Sequence, residues 1–334
     1  MSEFRKDPLS DRWVIIAPNR ANRPEQFEAE AGQYVPERCP FCAGHEADTP
    51  PEVVAYGTNG TPSTGDDWRV RVVPNLYPAV GGAESPLAES DALYQTRPGV
   101  GAHEVIVESP DHVISFSQLD DGQAALVLRA YRDRLIELGK DRRLAYGQIF
   151  KNSGAAAGAS LEHAHSQLIA TAVVPTQVQH ELAKSQSFHE QQGRCVFCVM
   201  LEEELAEGTR IVAESPQFVA FCPFASQFPY ETWILPRQHS SRFESTEPGQ
   251  LAEFAALLKG IVGRVESLRS DPAFNYLIHT APFDTPPLSH YHWHLEISPR
   301  LTKTAGFEWG AGDYINTVAP EQAARKLRIT SPQG

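Results

Sequence analysis

The sequence predicts an α+β fold made of two copies of one half-chain, each a mainly antiparallel sheet with one long helix. Three observations carry this expectation. One order of cysteines and histidines occurs twice, short β-rich runs cluster between turn signals, and each half holds one long amphipathic stretch.

The repeat is explicit. Cys39-Pro-Phe-Cys42 precedes "ESPDHVISF" with His112, then His163-Ala-His165; Cys195-Val-Phe-Cys198 precedes "ILPRQHSSRF" with His239, then His292-Trp-His294. From 112 to 163 is 51 residues and from 239 to 292 is 53, so the order recurs at nearly constant spacing. The halves are read as 1–175 and 176–334. Apolar spacing of three and four predicts a helix near Asp121–Gly139, with Leu126, Leu128, Tyr131 and Leu135 on or near one face. Its counterpart near Gly249–Leu268 carries Leu251, Phe254, Leu257, Leu258, Ile261 and Val265. β-Rich runs predict strands at Trp13–Ala17, Arg69–Val73, Glu104–Glu108, Tyr146–Lys151, Gln167–Val173, Tyr230–Leu235, Asn275–His279 and His292–Ser298. The Pro- and Gly-rich stretches Pro36–Gly65 and Val80–Gly101 read as long loops, and Pro175–Gly193 as the connection between halves.

Composition narrows the function. In 334 residues, 41% apolar and 21% charged is globular rather than disordered, and a net charge of −13 disfavours nucleic acid and anionic membrane. "MSEFRKDPLSDRW" holds no signal-peptide core, and no apolar run is long enough to span a membrane, so a cytoplasmic protein is expected. Two CxxC pairs then read as metal or redox chemistry before disulfides. A zinc tetrahedron completed by two histidines gives Cys39, Cys42, His112 and His163 as a first site, and Cys195, Cys198, His239 and His292 as a second. A shared all-thiolate site and a redox pair are the alternatives. For the second centre, Glu181, His279, His292 and His294 form a competing set suited to zinc or iron, and the two sets share His292. Cys222, in "FVAFCPF", reads as a core thiol.

"NSGAAAGASLEHAHSQ", residues 152–167, places small residues ahead of the first histidine pair. Gly and Ala uncover backbone N–H groups for an anion, in what reads as a loop at a sheet edge. In an extended HxH both imidazoles face one side, so one can ligate a metal while the other attacks phosphorus as a nucleophile. Ser160 and Gln167 can donate to the phosphoryl oxygens.

That stretch resembles the active-site signature of the galactose-1-phosphate uridylyltransferase family, a branch of the histidine-triad superfamily. "RKDPLSDRWVIIAPNRANRP", "CPFC", "NLYPAV", "ESPDH", "NYLIHTAPF" and "GFEWG" are similar to further family motifs along nearly the whole chain. The resemblance implies a tandem histidine-triad-like fold, His165 as the nucleophile that becomes nucleotidylylated, and Gln167 as a hydrogen-bond donor to the phosphoryl group. It further implies zinc at the first cysteine–histidine set, and nucleotide or phosphate contacts from Asn75, Asn152, Gly158 and Ser160. Arg20 and Arg23 match phosphate-binding arginines reaching across a homodimer, and Phe307 and Glu308 match the hexose-binding segment. The implied reaction is double-displacement nucleotidyl transfer between a nucleotide-sugar and a hexose-1-phosphate, with uridylyl transfer to galactose-1-phosphate placed first. Ala164, Ser166, Leu76, Tyr77 and Tyr314 depart from the best-known uridylyltransferases toward the branch that includes ADP-glucose phosphorylase, where adenylyl is carried and phosphate accepts it. Gln167 stands where superfamily hydrolases have a third histidine, which ranks a dinucleotide hydrolase lower; a non-catalytic zinc-binding module is the reading from another class.

Overall fold

The computed structural model describes residues 2–6, 13–16, 39–58, 60–63, 67–82, 93–270 and 273–331. In chain order the strands are β1 (Glu3–Lys6), β2 (Trp13–Ile16), β3 (Val54–Gly57), β4 (Trp68–Pro74), β5 (Thr96–Pro98), β6 (Gly101–Val107), β7 (Tyr146–Ser153) and β8 (His165–Thr171) in the first half. The second half adds β9 (Ile211–Glu214), β10 (Phe218–Phe221), β11 (Thr232–Pro236), β12 (Phe274–His279) and β13 (His294–Pro299). The helices are α1 (Asp121–Leu138), α2 (Thr176–Gln192), α3 (Val196–Glu207), α4 (Pro248–Glu266), α5 (Gly306–Ala311) and α6 (Pro320–Ile329).

Ten strands form one sheet in the order β3-β4-β6-β8-β7-β12-β13-β11-β10-β9, antiparallel throughout; β1, β2 and β5 form a separate small sheet. The large sheet reads as five strands from each half, joined where β7 meets β12 from Phe274↔Ser153 to Ile278↔Ile149. Both amphipathic helices lie on one face. α1 starts where the Asp120 carboxylate accepts the Gln123 N–H at 2.8 Å, and α4 starts at Pro248, which fixes φ and needs no amide partner in the first turn. Leu128, Tyr131 and Leu135 of α1 and Phe254, Leu258 and Ile261 of α4 are buried in one core with Ile106, Leu168, Ile234 and Leu295 of the sheet. Each such side chain contributes about 1.5–3 kcal/mol by leaving water.

The loop expectations need correction. Residues 175–193 hold α2, because Gln, Glu, Lys and Ala are good helix formers. The Pro175 and Gly193 that suggested a loop are its punctuation: Pro175 caps the N-terminus, and Gly193 takes φ 70° at the C-terminus. Strand β3 lies inside 36–65 and β5 inside 80–101. The Gly/Ala stretch joins two interior strands at their ends rather than lying at a sheet edge, since β12 covers the flank of β7. Gly154 (φ 79°) and Gly158 (φ 84°) bracket its short 3-10 turn, a left-handed backbone that side chains disfavour.

Alternation along β8 separates core from site. Leu168 and Ala170 join the helix-side core, with Ser166 turned the same way, while His165 and Gln167 face the opposite side. Beneath them, Lys151 Nζ lies 2.7 Å from Glu108 Oε2 and donates to the His165 carbonyl at 3.0 Å. The Tyr131 hydroxyl stands 2.6 Å from Ser166 Oγ, 3.2 Å from Glu108 Oε1 and 2.7 Å from the Tyr276 hydroxyl, tying β8 to α1 and to β12 of the other half. Burial pushes both phenols well above their ordinary range, so they stay neutral. Lys151 is 1% exposed and Glu108 fully buried, so removing one partner strands a charge. Lys151→Met is expected to cost about 3–5 kcal/mol in urea unfolding, far more than an exposed lysine would.

Candidate active site and metal centres

The first cysteine pair sits on a turn ahead of β3, with the Phe41 N–H 3.4 Å from Cys39 Sγ. Cys39, Cys42, His112 and His163 bring one ligand atom each within 4.8 Å of one another. His163 Nδ1 lies 3.4 Å from Cys39 Sγ and 3.6 Å from Cys42 Sγ, and His112 Nδ1 lies 3.4 Å from Cys42 Sγ. The tautomer suits a metal. His163 Nε2 is 2.9 Å from the Ser109 carbonyl, which can only accept, so Nε2 carries the proton and Nδ1 turns its lone pair to the thiols. Burial pushes His163 down to about 3, keeping it neutral, and burial followed by the neighbouring Cys39 pushes Cys42 up to about 12. A cation would reverse that cost by holding both sulfurs as thiolates.

Beside this cluster opens a cavity of about 260 Å³. Phe41, Val73, Val105 and Leu161 give it apolar walls, while Asn75, Ser160, His165 and Gln167 supply polar groups. Phe41 links cavity and cluster, its ring centroid 5.3 Å from that of His165 and 5.9 Å from that of His163. His165, 6% exposed, holds Nδ1 at 2.8 Å from the His163 carbonyl. That carbonyl accepts, so the neutral ring keeps its proton on Nδ1 and its lone pair on Nε2, the form a nucleophile needs. Gln167, two residues on and 6% exposed, lines the same cavity.

The remaining sequence-predicted residues divide. Asn152 is not among the residues that line the cavity; its Oδ1 accepts from Asn275 Nδ2 at 2.8 Å, and the same nitrogen donates to the Ala157 carbonyl at 2.9 Å. Gly158 lies on that loop outside the cavity lining. Phe307 and Glu308 sit on the exposed helix α5, away from the cavity, with Glu308 Oε2 accepting the Ala305 N–H at 3.0 Å. Arg20 and Arg23 lie outside the described residues. His103 and Lys151, which the motif reading passed over, stand against Gln167 and the His165 carbonyl respectively.

Residues 1–175 match the family described as galactose-1-phosphate uridyl transferase, N-terminal domain, and residues 101–330 match a domain of unknown function. Over 336 residues the chain is 37% identical to an ADP-glucose phosphorylase of Arabidopsis thaliana, covering 98% of this chain and 93% of that protein. The chain belongs to the galactose-1-phosphate uridylyltransferase family. A galactose-1-phosphate uridylyltransferase of Thermotoga maritima is 30% identical over 340 residues, covering 99% of each chain. Among solved structures, a uridylyltransferase superposes with a TM-score of 0.81 at 30% identity over 98% of both chains. An Arabidopsis thaliana ADP-glucose phosphorylase with bound ADP-glucose superposes with a TM-score of 0.77 at 35% identity, covering 99% of this chain and 100% of that one. This family member is accordingly a nucleotidyltransferase with the α+β fold of its relatives.

The second half of this uridylyltransferase-family chain gathers its own cysteines and histidines. Cys195, Cys198, His239 and His292 converge within 4.8 Å, with Cys195 at the start of α3. His239 Nε2 lies 3.1 Å from the Leu288 carbonyl, which turns Nδ1 to Cys198 Sγ at 3.3 Å. The Cys198 hydrogen bond lowers the Cys195 pKa, and the same contact raises that of Cys198. His292 belongs to this set, which corrects the either-or reading of the second centre. Glu181, His279 and His294 converge separately, without His292. His279 Nδ1 stands 2.9 Å from Glu181 Oε2, yet His279 Nδ1, His294 Nε2 and Glu181 Oε1 are buried with no aligned hydrogen bond, as donors facing a common cation would be. Burial alone would push His279 down, but Glu296 and Glu181 hold it up at about 9.

All three clusters can hold metal ions. Cys39→Ser is expected to lower the metal content of the purified protein by about one equivalent, leaving the Cys195 cluster loaded. Elemental analysis of Cys39→Ser and Cys195→Ser side by side checks this; equal loss from both clusters in either variant would contradict their independence.

Proposed function

We propose that this chain carries an adenylyl group on His165, taking it from ADP-glucose and delivering it to inorganic phosphate. The observation that carries the reading is His165 itself, buried at a cavity wall with Nδ1 committed to the His163 carbonyl and Gln167 on the same face. In the first displacement Nε2 attacks the α-phosphorus, the bond to the bridging oxygen breaks, and glucose-1-phosphate leaves with those electrons. In the second, a phosphate oxygen attacks the same phosphorus, the N–P bond breaks, and ADP leaves with His165 neutral again. Gln167 and Ser160 donate to the non-bridging oxygens, where charge grows in each transition state, and Asn75 contacts the nucleotide. Zinc would be held by Cys39, Cys42, His112 and His163, and by Cys195, Cys198, His239 and His292, where it would supply a structural cross-link. In the first set His163 would thereby be fixed, and with it the carbonyl that orients His165.

The greater identity to the ADP-glucose phosphorylase, 37% against 30%, supports adenylyl over the uridylyl chemistry that the sequence placed first. Uridylyl transfer to galactose-1-phosphate is the second reading, favoured by the TM-score of 0.81 to the uridylyltransferase. We read residues 1–175 and 176–334 as homologous halves of one chain, and that chain as one subunit of a cytoplasmic homodimer. Arg20, Arg23, Asn152, Gly158, Phe307 and Glu308 complete substrate binding, and the exposure of Phe307 (56%) and Trp309 (79%) supports α5 meeting a partner.

Intact mass after mixing with ADP-glucose or UDP-glucose alone tests the reading. An adenylyl adduct discharged by phosphate is expected; a uridylyl adduct discharged by galactose-1-phosphate would move the protein to the second reading. His165→Ala is expected to lose the adduct and at least about 10⁴-fold in turnover while keeping its metal.

A further inference from the structure

We propose that His103 is a positioning residue that sets which end of the Gln167 amide meets the reacting phosphoryl group, an inference that rests on the nucleotidyl-transfer reading above. His103 lies on β6 opposite Ile169, with Val105 opposite Gln167, so His103 and Gln167 are diagonal neighbours on the site face of the sheet. Both are buried, at 5% and 6% exposure.

The hydrogen bonds fix the direction of the amide. The Ala79 backbone N–H lies 3.0 Å from His103 Nδ1 and can only donate, so Nδ1 must be the accepting nitrogen. A neutral ring accepting at Nδ1 carries its proton on Nε2. That nitrogen lies 2.9 Å from Gln167 Oε1, so His103 donates and Gln167 accepts through its oxygen. The Gln167 NH₂ group is thereby turned to the cavity that Gln167 lines. Asn75 accepts the Tyr77 N–H at 2.9 Å through Oδ1, which leaves its NH₂ beside the same ring nitrogen at 3.2 Å. Since both Nε2 and the Asn75 nitrogen are donors, that approach adds no competing acceptor, and Gln167 Oε1 stands at 2.9 Å to accept the Nε2 proton.

The orientation matters because an amide is two-faced. Rotated by half a turn, Gln167 would present oxygen lone pairs to phosphoryl oxygens whose charge grows in the transition state. His103 opposes that rotation, which would bring the amide nitrogen against the Nε2 proton. It acts on the rate of transfer through Gln167 and touches neither nucleotide nor sugar.

The test measures how fast His165 acquires the nucleotidyl group, by rapid quench and intact mass with ADP-glucose and UDP-glucose. His103→Leu is expected to slow adduct formation about 10–100-fold, the scale of one misplaced transition-state donor, with KM changed less than about threefold. His103→Gln, whose amide nitrogen reaches the place of Nε2, is expected to recover most of the rate. His103→Asn, which can replace only Nδ1, is expected to remain slow while still folding around the Ala79 N–H. Gln167→Ala should be slow, and His103→Leu/Gln167→Ala no slower than Gln167→Ala alone, since one acts through the other. Independent losses that multiply in the double variant, or His103→Asn matching His103→Gln, would overturn the inference. A wild-type protein that reacts while His103→Leu reacts equally fast would do the same. Wild-type protein that forms no adduct with either donor would instead overturn the transfer reading, and this inference with it.

Discussion

A β-strand turns successive side chains to opposite faces, and the whole site depends on that constraint acting on β8. Because Ser166, Leu168 and Ala170 face the helices, His165 and Gln167 must face away from them. A shift of register by one residue would bury His165 in the core and expose Leu168. The polar set of Lys151, Glu108, Tyr131, Ser166 and Tyr276 makes that slip costly from below, since Ser166 and the His165 carbonyl are held where they stand. From above, the first cysteine–histidine cluster holds His163, whose carbonyl sets the His165 tautomer. Chemistry and core are thus the two faces of one seven-residue strand.

In the second half a histidine in a comparable place is enclosed rather than set on a cavity wall. His294 begins β13 as His165 begins β8, and its Nδ1 also meets the carbonyl two residues back, at 3.1 Å. Around it, however, α2 and α3 close the face that is open in the first half. Phe197 of α3 tilts over the ring at 5.0 Å, Trp233 and His279 stack on it at 4.9 and 4.8 Å, and Glu181 of α2 approaches Nε2 at 3.6 Å. The imidazole is fully buried, so a ring that makes the same backbone contact as His165 is here part of a closed, charged interior.

The twofold order of Cys and His was legible because metal-type ligands are rare residues at conserved spacing within one chain. Both long helices were legible because Leu126 to Leu135 and Leu251 to Val265 keep a helical period. Helix α2 was not, since Val178 and Leu182 are too few to mark a face and its flanking Pro175 and Gly193 belong equally to loops and to helix ends. Within the site, His165 and Gln167 sit in a local motif, so they could be read in line. His103 and Lys151 come from other strands, and only the pairing of β6 and β7 with β8 brings them near. Alternation in "HEVIVE" places His103 with Val105 and Val107, which was the available signal. It names a face of the strand but not which strand lies beside it. The separation of Glu181, His279 and His294 from His292 was beyond sequence for the same reason: the partners of each histidine come from elements distant in the chain.

The join between β7 and β12 also governs how the protein can be made. A ribosome releases β7 by residue 153, but the strand that covers it is complete only at residue 279. Through the synthesis of everything between, the nascent first half carries an open strand edge, with backbone donors and acceptors ready to accept a stranger's strand. The site strand β8 lies only one place in from that edge. A chain stalled or cut ahead of residue 274 would therefore be no half-enzyme: it would keep His165 and the first cysteine pair on a sheet with an adhesive side.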